Sequence, residues 1–144
     1  MKIRRFKLKD VKALVELSKK ASKELGWGKE SIKDFKRLFK RNKNLIWIAE
    51  DKNKMIGFLY GDLILRKGIL KRKKVLELAS IYIIKEYRNK GIATKLTKEF
   101  LNVWKKSNYK GVICFATNKI ALSLAKDVGF KQKVYYLEKK FEVG

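Results

Sequence analysis

Residues 77–96 read ELASIYIIKEYRNKGIATKL. An apolar strand pattern gives way to a short turn and then to a helix start. Such a junction gathers unbonded backbone N–H groups, here over Arg88 to Thr94, and the helix dipole adds to their pull on an anion. Gly91 lets the backbone approach a phosphate closely. Arg88 and Lys90 bring positive charge. A pyrophosphate suits this arrangement. Neither G-x-G-x-x-G nor G-x-x-x-x-G-K-[ST] occurs, which excludes a dinucleotide loop and a P-loop.

Histidine is absent. That removes a Ser-His-Asp triad, a Cys-His pair and a His-rich zinc site, and no metal site is expected. Any general base is then a carboxylate, a tyrosine, a lysine or water. The one cysteine, Cys114, lies in Val-Ile-Cys-Phe-Ala and reads as a buried structural residue rather than a nucleophile. Being single, it excludes an intramolecular disulfide.

The elements that must position these residues follow from periodicity. Ile3 to Lys7 reads as a strand. Asp10 caps a helix over Val11 to Leu25, whose apolar face runs through Val11, Leu14, Val15, Ala21 and Leu25, and Gly26 stops it. Ser31, with Asp34 three residues on, starts a second helix with apolar Phe35, Leu38 and Phe39. Leu45 to Glu50 and Met55 to Leu65 form a hairpin about the turn Asp51 to Lys54. Arg66 to Lys74 is a basic loop, and Val75 to Ile84 a long strand. Gly91 to Lys106 is a helix and Val112 to Ala116 a short strand. Asn118 caps a helix to about Val128, ended by Gly129, and Val134 to Phe141 closes the chain as a strand. The early strands suit antiparallel pairing. The strand-helix-strand unit from Val75 to Ala116 requires two parallel strands and a right-handed crossover. The expectation is an α+β fold of three layers, α-β-α, around a mixed, mostly antiparallel sheet, with residues 1–144 as a single domain.

Arg88-Asn89-Lys90-Gly91-Ile92-Ala93 resembles the R/Q-x-x-G-x-G/A signature of the GCN5-related N-acetyltransferases, and Ile81-Tyr82-Ile83 with Glu86-Tyr87 resembles its usual lead-in. Asn118-x-x-Ala121-x-x-Leu124 with Gly129-Phe130 resembles the family's second motif, N-x-x-A-x-x-L-Y-x-x-x-G-F. The resemblance extends to the order of elements along the whole chain. It implies a fold whose fourth and fifth strands are parallel and splayed, and acetyl-CoA as acetyl donor. It implies that the pantetheine arm pairs with backbone at Ile81 and Ile83, with Tyr82 between them. The pyrophosphate would rest on amides from Asn89 through Lys90, Gly91, Ile92 and Ala93 to Thr94. Asn118 would touch the pantetheine or serve as a plain helix cap.

The implied activity is acetyl transfer to a primary amine by direct attack. A lysine-like amine must first lose a proton, which at pH 7 costs about 4.6 kcal/mol. Glu77 is the candidate base. It stands eleven residues before Arg88, where histone-type relatives carry their catalytic glutamate. Strict alternation places it on the strand face of Ala79 and Ile81, and burial there would raise its pKa. The competing reading is a surface carboxylate answering Lys71 to Lys74, and Ser80 and Glu50 are the other candidates. The family pose assigns the oxyanion to the Ile83 N–H. Ala125 occupies the position of the family's thiolate-protonating tyrosine, which leaves Tyr82, Tyr135, Tyr136 or water. Trp27, Phe35, Phe39 and Trp47 either pack the core or line an acceptor pocket under the first two helices.

Charge bounds the partners. The chain carries 38 basic and 14 acidic residues, a net +24. That attracts polyanions and repels polycationic acceptors such as polyamines. It also fits a lysine-rich composition of no functional meaning. The acceptor is a small-molecule or a protein or peptide amine, and nucleic acid is a partner the charge admits. A catalytically inactive CoA-binding regulator and a nucleic-acid-associated acetyltransferase are the alternatives. No apolar run spans a membrane and no signal-peptide pattern follows the basic start, so the cytoplasm is expected, as monomer or homodimer.

Overall fold

The computed structural model describes residues 1–26, 32–42, 44–67, 72–107, 109, 111–114, 119–131 and 139, excepting the side chains at 32, 35, 38, 42, 66, 67, 72, 73 and 120. Its elements are β1 (Lys2–Arg5), α1 (Val11–Leu25), α2 (Ile32–Asn42), β2 (Ile46–Asp51), β3 (Lys54–Lys67), β4 (Arg72–Ile83), α3 (Ile92–Lys105), β5 (Val112–Cys114) and α4 (Lys119–Asp127). The strands form one sheet in the order β1-β2-β3-β4-β5. The first three pairings are antiparallel, and β4 with β5 is parallel. The mixed, mostly antiparallel sheet is therefore as expected. The closing strand over 134–141, Asn118 and Ser31 lie outside the described residues.

Turn chemistry explains the joints. Lys52 and Asn53 both take left-handed φ, 50° and 60°, which a two-residue hairpin turn between twisted strands requires. Gly26 ends α1 at φ 74°, with its N–H donating to the Ser22 carbonyl at 2.8 Å. Phe130 N–H reaches the Ala125 carbonyl and Gly129 N–H that of Lys126, a Schellman ending for α4. The basic stretch 66–74 differs from expectation. β3 continues to Lys67 and β4 begins at Arg72, with Lys67 opposite Arg72. Ladder hydrogen bonds belong to the backbone, so a charged run pairs as well as a neutral one.

Helices α1 and α2 cover one face of the sheet. Tyr82 on β4 donates to Glu24 of α1 at 2.6 Å, and Arg41 of α2 donates to Asp62 of β3 at 2.7 Å. The other face belongs to α3, whose Phe100 meets Trp47 edge-on with ring centroids 6.0 Å apart. Gly61 makes that contact possible. A Cβ there would collide with the Phe100 ring and the Glu77 carbonyl. Trp47, Phe58, Leu59, Leu96 and Phe100 are almost fully buried, so both layers share the sheet as their apolar floor.

Asp10 differs from its expected role. Its carboxylate does not cap α1. Nη1 and Nη2 of Arg4 donate to its two oxygens at 2.7 and 2.8 Å, and Lys7 N–H donates at 2.8 Å. Arg4 Nε also donates to Glu50 at 2.7 Å. The fork of one guanidinium thereby joins β1, β2 and the start of α1. The Arg4 contact holds the Asp10 carboxyl below its ordinary 3.8. A depressed carboxyl contributes stability above its unfolded pKa and loses it as pH falls through the folded one. Arg4→Met leaves Asp10 buried without its partner, and urea unfolding at neutral pH is expected to show a loss of roughly 3 kcal/mol. The gap between the two proteins narrows as pH drops below 3.8.

Candidate functional site

The site begins with an irregularity in β4. Tyr60 lies opposite Ser80, yet Gly61 lies opposite Leu78, so Ala79 is an extra residue in the ladder. A bulge of this kind restarts the alternation of side chains. Glu77 faces Asp62 across the strand pair, and Ser80 faces Tyr60 two residues earlier on β3. Glu77, Ser80 and Tyr82 therefore share the α1/α2 face, while Leu78, Ile81 and Ile83 face α3. This corrects the expectation that Glu77 lies on the face of Ala79 and Ile81. Ala79 itself is exposed.

The same strand also pairs with β5. Their parallel ladder runs from Leu76 and Val112 to Leu78 and Cys114, the last described residue of β5. Ile84 N–H donates to the Ile56 carbonyl of β3 at 2.9 Å. By alternation the backbone groups of Ile83 and Ile81 point away from β3, toward the side of β4 on which β5 pairs.

Beyond Ile83 a 3-10 turn, Lys85–Tyr87, leads to the loop before α3. The Tyr87 hydroxyl anchors the loop by donating to Asp51 at 2.7 Å, and the Lys90 ammonium lies 5.1 Å from the centre of the Tyr87 ring. Asn89 and Gly91 both take left-handed φ, 62° and 77°. At Gly91 a Cβ would meet nothing, so glycine serves the backbone angle there rather than a tight contact. Among the described residues no side chain is bonded as a cap to α3, and its first turn holds no acidic residue. The first helical bond recorded there runs from Lys95 N–H to the Gly91 carbonyl at 3.1 Å. The amides of Ile92, Ala93 and Thr94 thus begin a helix with its positive end uncovered by carboxylate.

Arg88 sits where the sequence places it, but its side chain has protein partners. It pairs with Glu24 at 2.6 Å, its Nε donates to the Ile83 carbonyl at 2.9 Å, and its guanidinium lies 5.4 Å from the centre of the Tyr82 ring. These contacts tie α1 to the end of β4. The Glu24 carboxyl is held low, first by Arg88 and then by Tyr82. Burial, followed by the bond to Glu24, pushes the Tyr82 hydroxyl up to about 12. Glu24 carries no motif. Its bond to Tyr82 spans 58 residues of sequence, and no local pattern announces it.

Glu77 is half-buried, and its carboxyl is raised, first by burial and then by the charge of Asp62 opposite. Asp62 in turn accepts from Arg41 and from Leu63 N–H. Ser80 is buried beside this group, whereas Glu50 is committed to Arg4. Trp47 belongs to the core on the α3 face, and Phe39 packs edge-on against Phe6 at 5.2 Å. Trp27, the Phe35 side chain, Tyr135 and Tyr136 lie outside the described residues. Burial also raises the Cys114 thiol, which makes it a poor nucleophile. Among the described residues no group of three or more His, Cys, Asp or Glu is placed to hold a metal ion, and no helix is long and apolar enough to cross a membrane.

The chain matches the acetyltransferase (GNAT) family over residues 12–130. No curated protein matches it in sequence. Among solved structures, a mutant of a Bacillus halodurans protein superposes with TM-score 0.80 at 13% identity, covering 99% of this chain and 100% of that one. A predicted acetyltransferase from Clostridium acetobutylicum, crystallised with acetyl-CoA, gives 0.73 at 25% identity over 96% and 95%. An aminoglycoside acetyltransferase from an uncultured soil metagenomic sample, in complex with sisomicin, gives 0.72 at 17% over 98% and 96%. The family match spans most of the chain, and the mixed sheet with its parallel β4–β5 pair has the fold of these structures: the chain belongs to the GNAT acetyltransferase family.

Proposed function

We propose that this chain, working as one domain, moves the acetyl group of acetyl-CoA onto a primary amine by direct attack. The observation that carries the reading is the start of α3, without a side-chain cap among the described residues, following the stretch of β4 whose outward backbone edge faces away from β3. The amides from Asn89 to Thr94 hold the pyrophosphate. The backbone of Ile81 and Ile83 lines the pantetheine arm. Arg88 occupies the Ile83 carbonyl, which leaves the Ile83 N–H for the oxyanion. Asn118 remains a candidate contact to the pantetheine. Acetyl-CoA supplies the thioester: a C–N bond forms, the C–S bond breaks and the sulfur leaves as thiolate.

Glu77 is the base in this reading. The bulge turns it toward α1 and α2, and its raised carboxyl suits a base working nearer neutrality. It takes the proton of the attacking amine, directly or through water. Ala125 cannot return a proton to the thiolate, and Tyr82, pushed up to about 12 and bonded to Glu24, is a poor donor. We assign that proton to water, with Tyr135 and Tyr136 as the alternatives. The soil acetyltransferase that binds sisomicin supports a small-molecule amine as acceptor, although a net +24 chain repels polycations.

The test is thiol release from acetyl-CoA against small amines, N-terminal peptides and lysine peptides. Absence of both turnover and coenzyme binding would sink the proposal. Tight binding without turnover would instead mark a regulatory CoA-binding protein. Glu77→Gln is expected to lower kcat about 100-fold or more, with little change in the KM for acetyl-CoA. In the native protein kcat/KM rises with pH through a limb above the ordinary carboxyl value of 4.5, because the raised carboxyl must lose its proton to act. Glu77→Gln abolishes that limb. Gly91→Val forces a branched residue to φ 77° and is expected to weaken coenzyme binding about tenfold, read by calorimetric titration.

A further inference from the structure

We infer that the exposed face of α2 binds the sugar-phosphate backbone of a nucleic acid. This goes beyond acetyl transfer and does not depend on it. Lys33, Lys36, Arg37, Lys40 and Arg41 follow the spacing i, i+3, i+4, i+7, i+8 and together line one open depression. Helical geometry stacks them on one side of the helix over about 12 Å, the reach of two or three successive phosphates. All five are exposed. Two have carboxylate partners, Arg37 with Asp34 and Arg41 with Asp62. Lys33, Lys36 and Lys40 have no ion pair among the described residues.

The chemistry favours phosphate over an acidic peptide. Acidic motifs in peptides are read by clusters of arginine, and both arginines here are already paired with carboxylates; peptide recognition otherwise takes its specificity from pockets for side chains or from a free strand edge. Among the described residues this depression has neither, since only basic side chains line it. Backbone binding to nucleic acid requires only spaced positive charge. The charge also extends beyond α2. Helix α1, on the same side of the sheet, adds exposed Lys19, Lys20 and Lys23. Binding of this kind is independent of base sequence and weakens steeply with salt.

The test uses fluorescence anisotropy with a labelled oligouridylate and a short DNA duplex across a salt series. At low salt, at least one of them binds saturably. Lys33→Gln, Lys36→Gln and Lys40→Gln together are expected to weaken it about tenfold and to flatten the salt slope by about 2, at 0.7 per lost phosphate contact on a single strand. The control is Lys98→Gln, Lys105→Gln and Lys106→Gln, exposed positions on or just after α3 that remove the same charge. It is expected to bind as the native protein does. Equal weakening by the control overturns the inference, since net charge would then be the cause. So does failure of both oligonucleotides to bind at low salt. So does poly-glutamate binding as tightly as either oligonucleotide and losing affinity in the α2 variant. Thermal unfolding checks both variants, and Lys36→Gln alone serves if the triple change does not fold.

Discussion

Strand β4 holds one residue more than β3 can pair between Leu78 and Ser80. The mismatch sits between two tasks. Below it, Leu76 to Leu78 hold β5 in a parallel ladder. Above it, Ser80 to Ile83 stay paired to β3 and turn the other backbone edge away from it. Without the extra residue, Glu77 would point with Leu78's neighbours into the α3 side, where Phe100 and Leu96 leave no room for a carboxylate. The bulge moves that carboxylate to the face of α1 and α2, opposite Asp62. Gly61 completes the arrangement, because Phe100 fills the space its Cβ would take beside the Glu77 carbonyl. Acid, bulge and helix contact form one unit, in which each part restricts the others.

A second set of contacts couples this unit to the loop before α3. Arg88 touches Glu24, the Ile83 carbonyl and the Tyr82 ring at once. The pair is about one-third exposed at each end, so water screens it and its energetic worth is small. Its geometric worth is larger. A planar guanidinium with fixed donors sets the angle between the last turn of α1, the end of β4 and the loop that follows. Tyr87, bonded to Asp51 in the hairpin turn, fixes the same loop from the other side. The amides at the start of α3 are held by these anchors, while no side chain among the described residues is bonded as a cap to the helix end.

Charge is distributed unevenly around this frame. The acidic residues of the site, Glu24, Asp62 and Glu77, lie between the sheet and the first two helices, and the outer face of α2 is basic. On the proposed reading, an amine approaching the site meets carboxylates close to β4. A polyanion meets lysines farther out. The two fields meet where Arg41 of α2 pairs with Asp62 of β3 at 2.7 Å.

Sequence by itself determined the order of the described elements, the hairpin turn, the stops at Gly26 and Gly129, the start of α3 and the family. All of these depend on interactions within a few residues, where periodicity, turn angles and caps are written directly into the chain. Tertiary structure decided the face of Glu77, the partners of Arg88 and Asp10, the core position of Trp47 and the pairing of Arg66 and Lys67 with Lys73 and Arg72. Each depends on residues far apart in sequence. The bulge at Ala79 is visible only against β3, and Glu24 gains meaning only when α1 is laid against β4. A strand read alone alternates perfectly; only its neighbour reveals the residue that has no partner.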